Sequence, residues 1–404
     1  MDIDPKAAGM SAQRLERLTA HLENQYLQPE KIAGCQVLVA RRGKIAYFRS
    51  LGFADLADRR PIEDDTLFRI YSMTKPITSI ALMQLYERGL FQLNDPISRV
   101  IPGWRRPNVF LGLSDHGELQ VEPATSEITF RQILSHTAGL SYGNGNHPVD
   151  KLYAAAGLND RRQSHLASFV EVLAEIPLYY HPGQAWLYSY ATDVCGYLVE
   201  ALSGMAFGDY LKTYVFEPLG MIDTGFYVPT EKVFRLASNY ERQSDKTLQR
   251  IDAAETSTYL EPPTFESGGG GLVSTTKDYF NFCQMLLQDG QLEGERIVSR
   301  RTLGLMRQNH LRQGRDLTQM AIGSFSETAY EGIGFGLGFA MNLNEVASGQ
   351  IGVDDFYWGG AASTIFSVDP REDLVILFMT QLMPSSTFNF RGQIKNIVYG
   401  AIDD

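Results

Sequence analysis

Apolar positions along the chain follow different rhythms at its ends and in its middle. Leu15, Leu18 and Leu22 recur at helical spacing behind Ser11, a residue type that caps helix N-termini, and predict a first helix. The run CQVLVARRGKIAYFRSLGFAD, residues 35–55, then reads as a β-hairpin about an Arg-Gly-Lys turn. Matching material stands near the other end. GFGLGFAMNL, DDFYWGG, STIFSVDP and DLVILFMTQL are short β-rich runs separated by Gly, Asp and Pro. Phe390, Ile394, Ile397 and Ala401 then form one helical stripe. Between these ends the pattern is helical, as in SMTKPITSIALMQLYERG, TFRQILSHTAG, SHLASFVEVLAEI and ATDVCGYLVEALSG, several of them closed by a glycine.

Strands at both ends with helices between predict an α+β fold. One antiparallel sheet is built from the two termini, helices pack on it, and a helical unit is inserted. The expected division is 1–70 with 265–404 as the α/β domain and 71–264 as the mainly helical insertion, with the active site at their seam. The stretches GLSDHGELQVEPATS and GNGNHPVD and the run Gly268 to Gly271 read as mobile connections able to line a cleft.

Charge narrows the partners. The 47 acidic residues exceed the 36 basic ones, and the formal charge of −11 has no compensating basic block, which disfavours nucleic acid. Cys35, Cys195 and Cys283 are scattered and odd in number, so buried reduced thiols are expected rather than disulfides or a zinc site. The opening MDIDPKAAGM lacks a basic and an apolar signal region, and no apolar run approaches a membrane span; a cytoplasmic protein without membrane association is the expectation.

The sharpest chemical signal is Ser72-Met73-Thr74-Lys75 at the head of an apolar helix containing Ile77, Ile80, Ala81 and Leu85. A serine there meets backbone N–H groups and the positive end of the helix dipole, and Lys75 lies on the same face one turn on. Ser-x-x-Lys is the nucleophile motif of β-lactamases and penicillin-binding proteins. A lysine and a tyrosine, with ordinary pKa values of about 10.4 and about 10, are both poor bases near neutrality and need each other or burial to work. Tyr188, in the turn PGQAWLYSYATD, is the candidate partner. Trp358-Gly359-Gly360-Ala361 supplies the third element. Its paired glycines permit close backbone approach along a strand edge, and the Ala361 N–H would join the Ser72 N–H as an oxyanion hole.

Ser72-x-x-Lys75, Tyr188-Ser189-Tyr190 and Trp358-Gly359-Gly360, in that order, resemble the family VIII carboxylesterases, which are similar to class C β-lactamases. HTAGL from His136, EPLGM and GGGGLVSTTKDYFNF resemble further stretches that recur in this superfamily, so the likeness spans nearly the whole chain. The resemblance implies a β-lactamase/DD-peptidase-like fold and a cofactor-free acyl-enzyme mechanism. Ser72 would attack the acyl carbon, Lys75 would accept or relay its proton, and Tyr188 would protonate the leaving alcohol and then activate water. Whether Lys75 or Tyr188 is the formal base stays open, because the two titrate together.

Departures from the lactamase pattern point to the substrate. Tyr190 stands where class C enzymes carry an amide-binding asparagine, and Trp358-Gly359-Gly360 replaces a Lys-Thr-Gly element whose charge receives a carboxylate. Losing that charge-assisted contact, about 1.5–3 kcal/mol, favours neutral esters over penicillins. Tyr190, Trp358, Gly359 and Gly360 are accordingly expected to bind a small-molecule ester. The alternatives are a β-lactamase or peptidase, an acyltransferase of the same fold, and a sensor that acylates without turnover.

Two patterns compete with this reading. Gly139-Leu140-Ser141-Tyr142-Gly143 matches Gly-x-Ser-x-Gly, yet a helix with Phe130, Ile133 and Leu134 precedes it where a nucleophile elbow requires a strand. His136 and His181 flank turns and lack metal-ligand spacing.

Overall fold

The computed structural model describes residues 2–158, 164–323 and 330–404. An eight-stranded antiparallel sheet organises the molecule, with strands in the spatial order Ile333–Phe335, Ala340–Asn342, Phe356–Gly359, Ile365–Asp369, Leu374–Thr380, Gly34–Arg41, Lys44–Asp55 and Arg60–Pro61. The two ends of the chain meet in its middle, where Cys35 pairs with Thr380, Val37 with Phe378 and Val39 with Ile376. The expected α+β sheet from both termini is therefore present. Arg42 and Gly43, both at positive φ, make the tight turn of the first hairpin.

Every residue of Gly34–Arg41 is buried, because helices cover both faces of the sheet. Cys35, Val37 and Val39 point to the layer holding Leu15, Leu18, Leu22, Phe390 and Ile394. Leu38 and Ala40 point to the opposite layer, with Ile77 and Phe282. Ser11 caps Ala12–Leu22 by accepting from Arg14 N, as expected. The helix Thr74–Glu87 is buried all round from Thr74 to Leu85, as a helix at the centre of a large core must be. The Gln84 amide nitrogen donates to the Tyr214 and Ile297 carbonyls at 3.0 Å each.

The middle of the chain holds two hairpins as well as helices. Asn108–Leu113 pairs with Leu119–Pro123, so much of the stretch expected as a loop after Gly112 is extended and paired. Asn239–Arg242 pairs with Leu248–Asp252. Leu119–Pro123 is exposed throughout and has no buried face to betray it. Of GNGNHPVD, expected as a connection, Pro148, Val149 and Asp150 form the first turn of the helix Pro148–Ala155. The three cysteines are buried and unpaired. Among the described residues no helix is long and apolar enough to cross a membrane.

Candidate active site

Ser72 sits in a single 3-10 turn, Tyr71–Met73, that leads into Thr74–Glu87, one turn ahead of the helix it was expected to open. The residue before it, Tyr71, has φ 41°, a left-handed conformation that costs a non-glycine residue about 1–3 kcal/mol. Neighbours impose that conformation. Ile70 N donates to the Leu272 carbonyl at 3.0 Å, and Asn239 Nδ2 donates to the Tyr71 hydroxyl at 3.1 Å.

Lys75 is 1% exposed, and its Nζ donates to Ser72 Oγ at 3.3 Å and to the Gly269 carbonyl at 2.6 Å. The same nitrogen lies 4.4 Å from the centre of the Tyr188 ring. The Gly268 to Gly271 run is thus part of the site's floor, and Asp193 shapes it. Asp193, wholly buried in the first turn of Ala191–Ser203, accepts from Ser267 Oγ at 2.5 Å and from Gly269 N at 3.1 Å. A Cβ on Gly269 would lie 2.5 Å from that carboxylate, so only glycine fits there. Thr78 Oγ1 holds the adjacent Gly268 carbonyl at 2.8 Å.

Tyr188 is held from two sides. The Trp358 indole N–H donates to its hydroxyl at 3.1 Å, and the His136 ring packs 4.9 Å from the phenol ring. His136 in turn bonds Ser189 Oγ at 3.2 Å and Thr192 Oγ1 at 3.4 Å. Burial, and then the charge of Lys75, push its pKa well below the ordinary 6.5, so a neutral imidazole backs the phenol. Neither His136 nor Asp193 was singled out from the sequence as part of the site. The signals were there in HTAGL and in ATD after the tyrosine, but single polar residues in such runs are unremarkable without their partners.

Trp358 departs from its expected place. Its side chain is fully buried and turned toward Tyr188, so the indole makes no wall for substrate. Gly359 and Gly360 line a separate hollow of about 550 Å³ beside Arg391 and Lys395. Their smallness serves packing: a Cβ on Gly360 would overlap the Ile70 carbonyl oxygen and Thr364 Oγ1. That approach brings Ala361 to the cleft that also contains Ser72.

The cleft has a volume of about 730 Å³ and is lined by Tyr71, Ser72, Tyr142, Tyr188, Tyr190 and Ala361, among others. Tyr190 is buried, donates to the Leu158 carbonyl at 3.3 Å and packs edge-on against Tyr142. Ser141 also lines the cleft, bonded to Asp150 at 2.7 Å. The helix Phe130–Leu134, not a strand, precedes it, so the elbow geometry is missing. His181 bonds Glu122 at 3.1 Å on the surface.

A sheet closed by both chain ends, layered with helices and carrying Ser-x-x-Lys at the edge of a cleft, defines the β-lactamase and penicillin-binding-protein class of fold. The model of the Beta-lactamase family matches residues 19–396, and the chain belongs to that family. Protein Rv1367c of Mycobacterium tuberculosis is 33% identical over 359 residues, 87% of this chain and 86% of that protein. Esterase EstB of Burkholderia gladioli is 30% identical over 397 residues, covering 94% and 93%. The solved structure of EstCE1, described as a hydrolase with promiscuous acyltransferase activity, superposes with a TM-score of 0.80 at 27% identity, covering 96% of this chain and 99% of that one. The chain is thus a member of a hydrolase family with esterases among its relatives.

Proposed function

We propose that this protein is a serine carboxylesterase of the family VIII type that hydrolyses short-chain acyl esters through a covalent intermediate on Ser72. The observation that carries the reading is the meeting of Lys75 Nζ with Ser72 Oγ at 3.3 Å under the Tyr188 ring. Ser72 Oγ adds to the ester carbonyl carbon while its proton passes to the Lys75–Tyr188 pair. The N–H groups of Ser72 and Ala361 receive the oxyanion. The intermediate collapses, the C–O bond to the alcohol breaks, and Tyr188 returns the proton to the departing alkoxide. Water then attacks the acyl carbon, giving a proton to the same pair; the acyl–Oγ bond breaks, and the pair returns that proton to Ser72 Oγ as the carboxylic acid leaves.

The absence of a lysine at position 358 supports esters over β-lactams, because no ammonium waits there for a lactam carboxylate. The names of EstB and EstCE1 support the same choice. The division into 1–70 with 265–404 and 71–264 belongs to this reading too. The test is a comparison of kcat/KM for p-nitrophenyl butyrate and nitrocefin, with an acyl-chain-length series. Preference for the butyrate, lost in S72A, is the expected result; preference for nitrocefin overturns it. The description of EstCE1 favours one second reading, acyl transfer to an alcohol in place of water, which product analysis with an added alcohol decides.

A further inference from the structure

The cleft above Ser72 has an unusual chemical balance. Its walls are aromatic, with Tyr142, Tyr179, Tyr188, Tyr190 and Trp186 all contributing. Among the described residues that line it, Asp150 alone carries a formal charge. Lys75 lies beneath, its nitrogen bonded to the Gly269 carbonyl and Ser72 Oγ and set 5.4 Å and 4.4 Å from the Tyr142 and Tyr188 ring centres.

Asp150 is a built feature. It is 3% exposed, in the first turn of Pro148–Ala155, and accepts from Ser141 Oγ at 2.7 Å. Burial, and then the nearby Asp150 carboxylate, push the Tyr179 phenol up, so it stays protonated. Gly145 leaves the space the second carboxylate oxygen needs, since a Cβ there would lie 2.5 Å from Oδ2. An ionised carboxylate has about four acceptor positions, so the Ser141 hydroxyl leaves capacity for a ligand. Ser141 connects directly to Tyr142, whose ring lies 5.3 Å from Tyr188 and 4.7 Å from Tyr190. A carboxylate beside several ring faces is the composition that binds an ammonium, through charge and the negative faces of the rings. The same carboxylate repels an acid.

We infer that the cleft selects esters bearing an alkylammonium group, which Asp150 and the surrounding tyrosines receive, and rejects esters bearing a carboxylate. This deepens the esterase reading and rests on it for turnover, while the recognition itself is testable without turnover. Butyrylcholine and its neutral isostere 3,3-dimethylbutyl butyrate, with a butyrate ester of a matched carboxylate-bearing alcohol, form the substrate set. Wild-type kcat/KM should favour the cation over the isostere by about tenfold, with the anion lowest. In D150N the cation-to-isostere ratio should fall to about two or less, while D150E, which keeps the charge, should retain most of it. In parallel, benzyltrimethylammonium titrated calorimetrically into S72A should bind, and binding should be lost in S72A/D150N. A wild-type ratio near one with good turnover of the isostere overturns cation selection and leaves the esterase reading standing. Binding to S72A that needs Asp150, with no Ser72-dependent turnover of any ester, upholds the cation site and overturns the esterase reading. Should D150N not fold, the wild-type ratio is read against salt: loss of preference with rising ionic strength supports the inference, and indifference to salt overturns it.

Discussion

The indole N–H of Trp358 donates to the hydroxyl of Tyr188 across 3.1 Å, tying a sheet strand to a turn of the helical middle through a buried bond. In the proposed mechanism Trp358 therefore acts on Tyr188, the acid–base group, and not on the substrate. W358F keeps an aromatic ring but deletes the donor. A hydrogen bond to a group that carries charge during the reaction contributes about 1.5–3 kcal/mol, so kcat should fall about 10- to 100-fold with KM little changed. Steady-state kinetics on a butyrate ester check this; an unchanged kcat with a raised KM would return Trp358 to substrate binding.

Gly360 gives a second prediction. Any side chain there meets the Ile70 carbonyl, two residues before Ser72, and pushes the Ala361 N–H away from the cleft. G360A should lower kcat by about 10²–10³, the usual consequence of losing one oxyanion donor. Gly304, which like Gly360 has no positive φ but has open space around it, is the control for glycine replacement as such.

Asp193 tests the floor of the site. D193N weakens the acceptor for Ser267 Oγ and Gly269 N, and with it the Gly269 carbonyl that takes Lys75. Unfolding in urea should show a loss of about 1–3 kcal/mol. Phosphonate labelling of Ser72 should slow as well, which a purely structural role for Asp193 in the folded protein would not produce.

How much of this was readable in advance differs by element. The sheet was legible because Val37, Val39, Phe378 and the runs around them are β-branched or aromatic and bounded by turn residues. Ser72, Lys75 and Tyr188 were legible as motifs, and the fold brings them to one cleft floor. The hairpin of Leu119–Pro123 was not, since exposed strands carry no apolar face. Asp193, His136 and Asp150 were missed for another reason. Their significance lies in partners distant in the chain, such as Gly269 for Asp193, and no local pattern records that pairing.

His136 makes stability depend on pH in a definite direction. Its folded pKa lies well below 6.5, so between the two values the unfolded chain binds the extra proton. Its contribution is complete above pH 6.5 and drains as pH falls toward the folded value, by up to about 1.4 kcal/mol per pH unit. H136Q, which cannot titrate, should show a shallower acid limb in urea-melt stability between pH 6.5 and 5 than the wild type. Parallel acid limbs would mean that His136 is protonated in the folded state.

The central claim is that Ser72 becomes covalently acylated, and peptide mapping by mass spectrometry after reaction with a p-nitrophenyl alkylphosphonate tests it most directly. One equivalent of label on the peptide containing Ser72, absent in S72A and retained in S141A, is the result expected. Label on Ser141, or ester turnover that continues undiminished in S72A, would contradict the account.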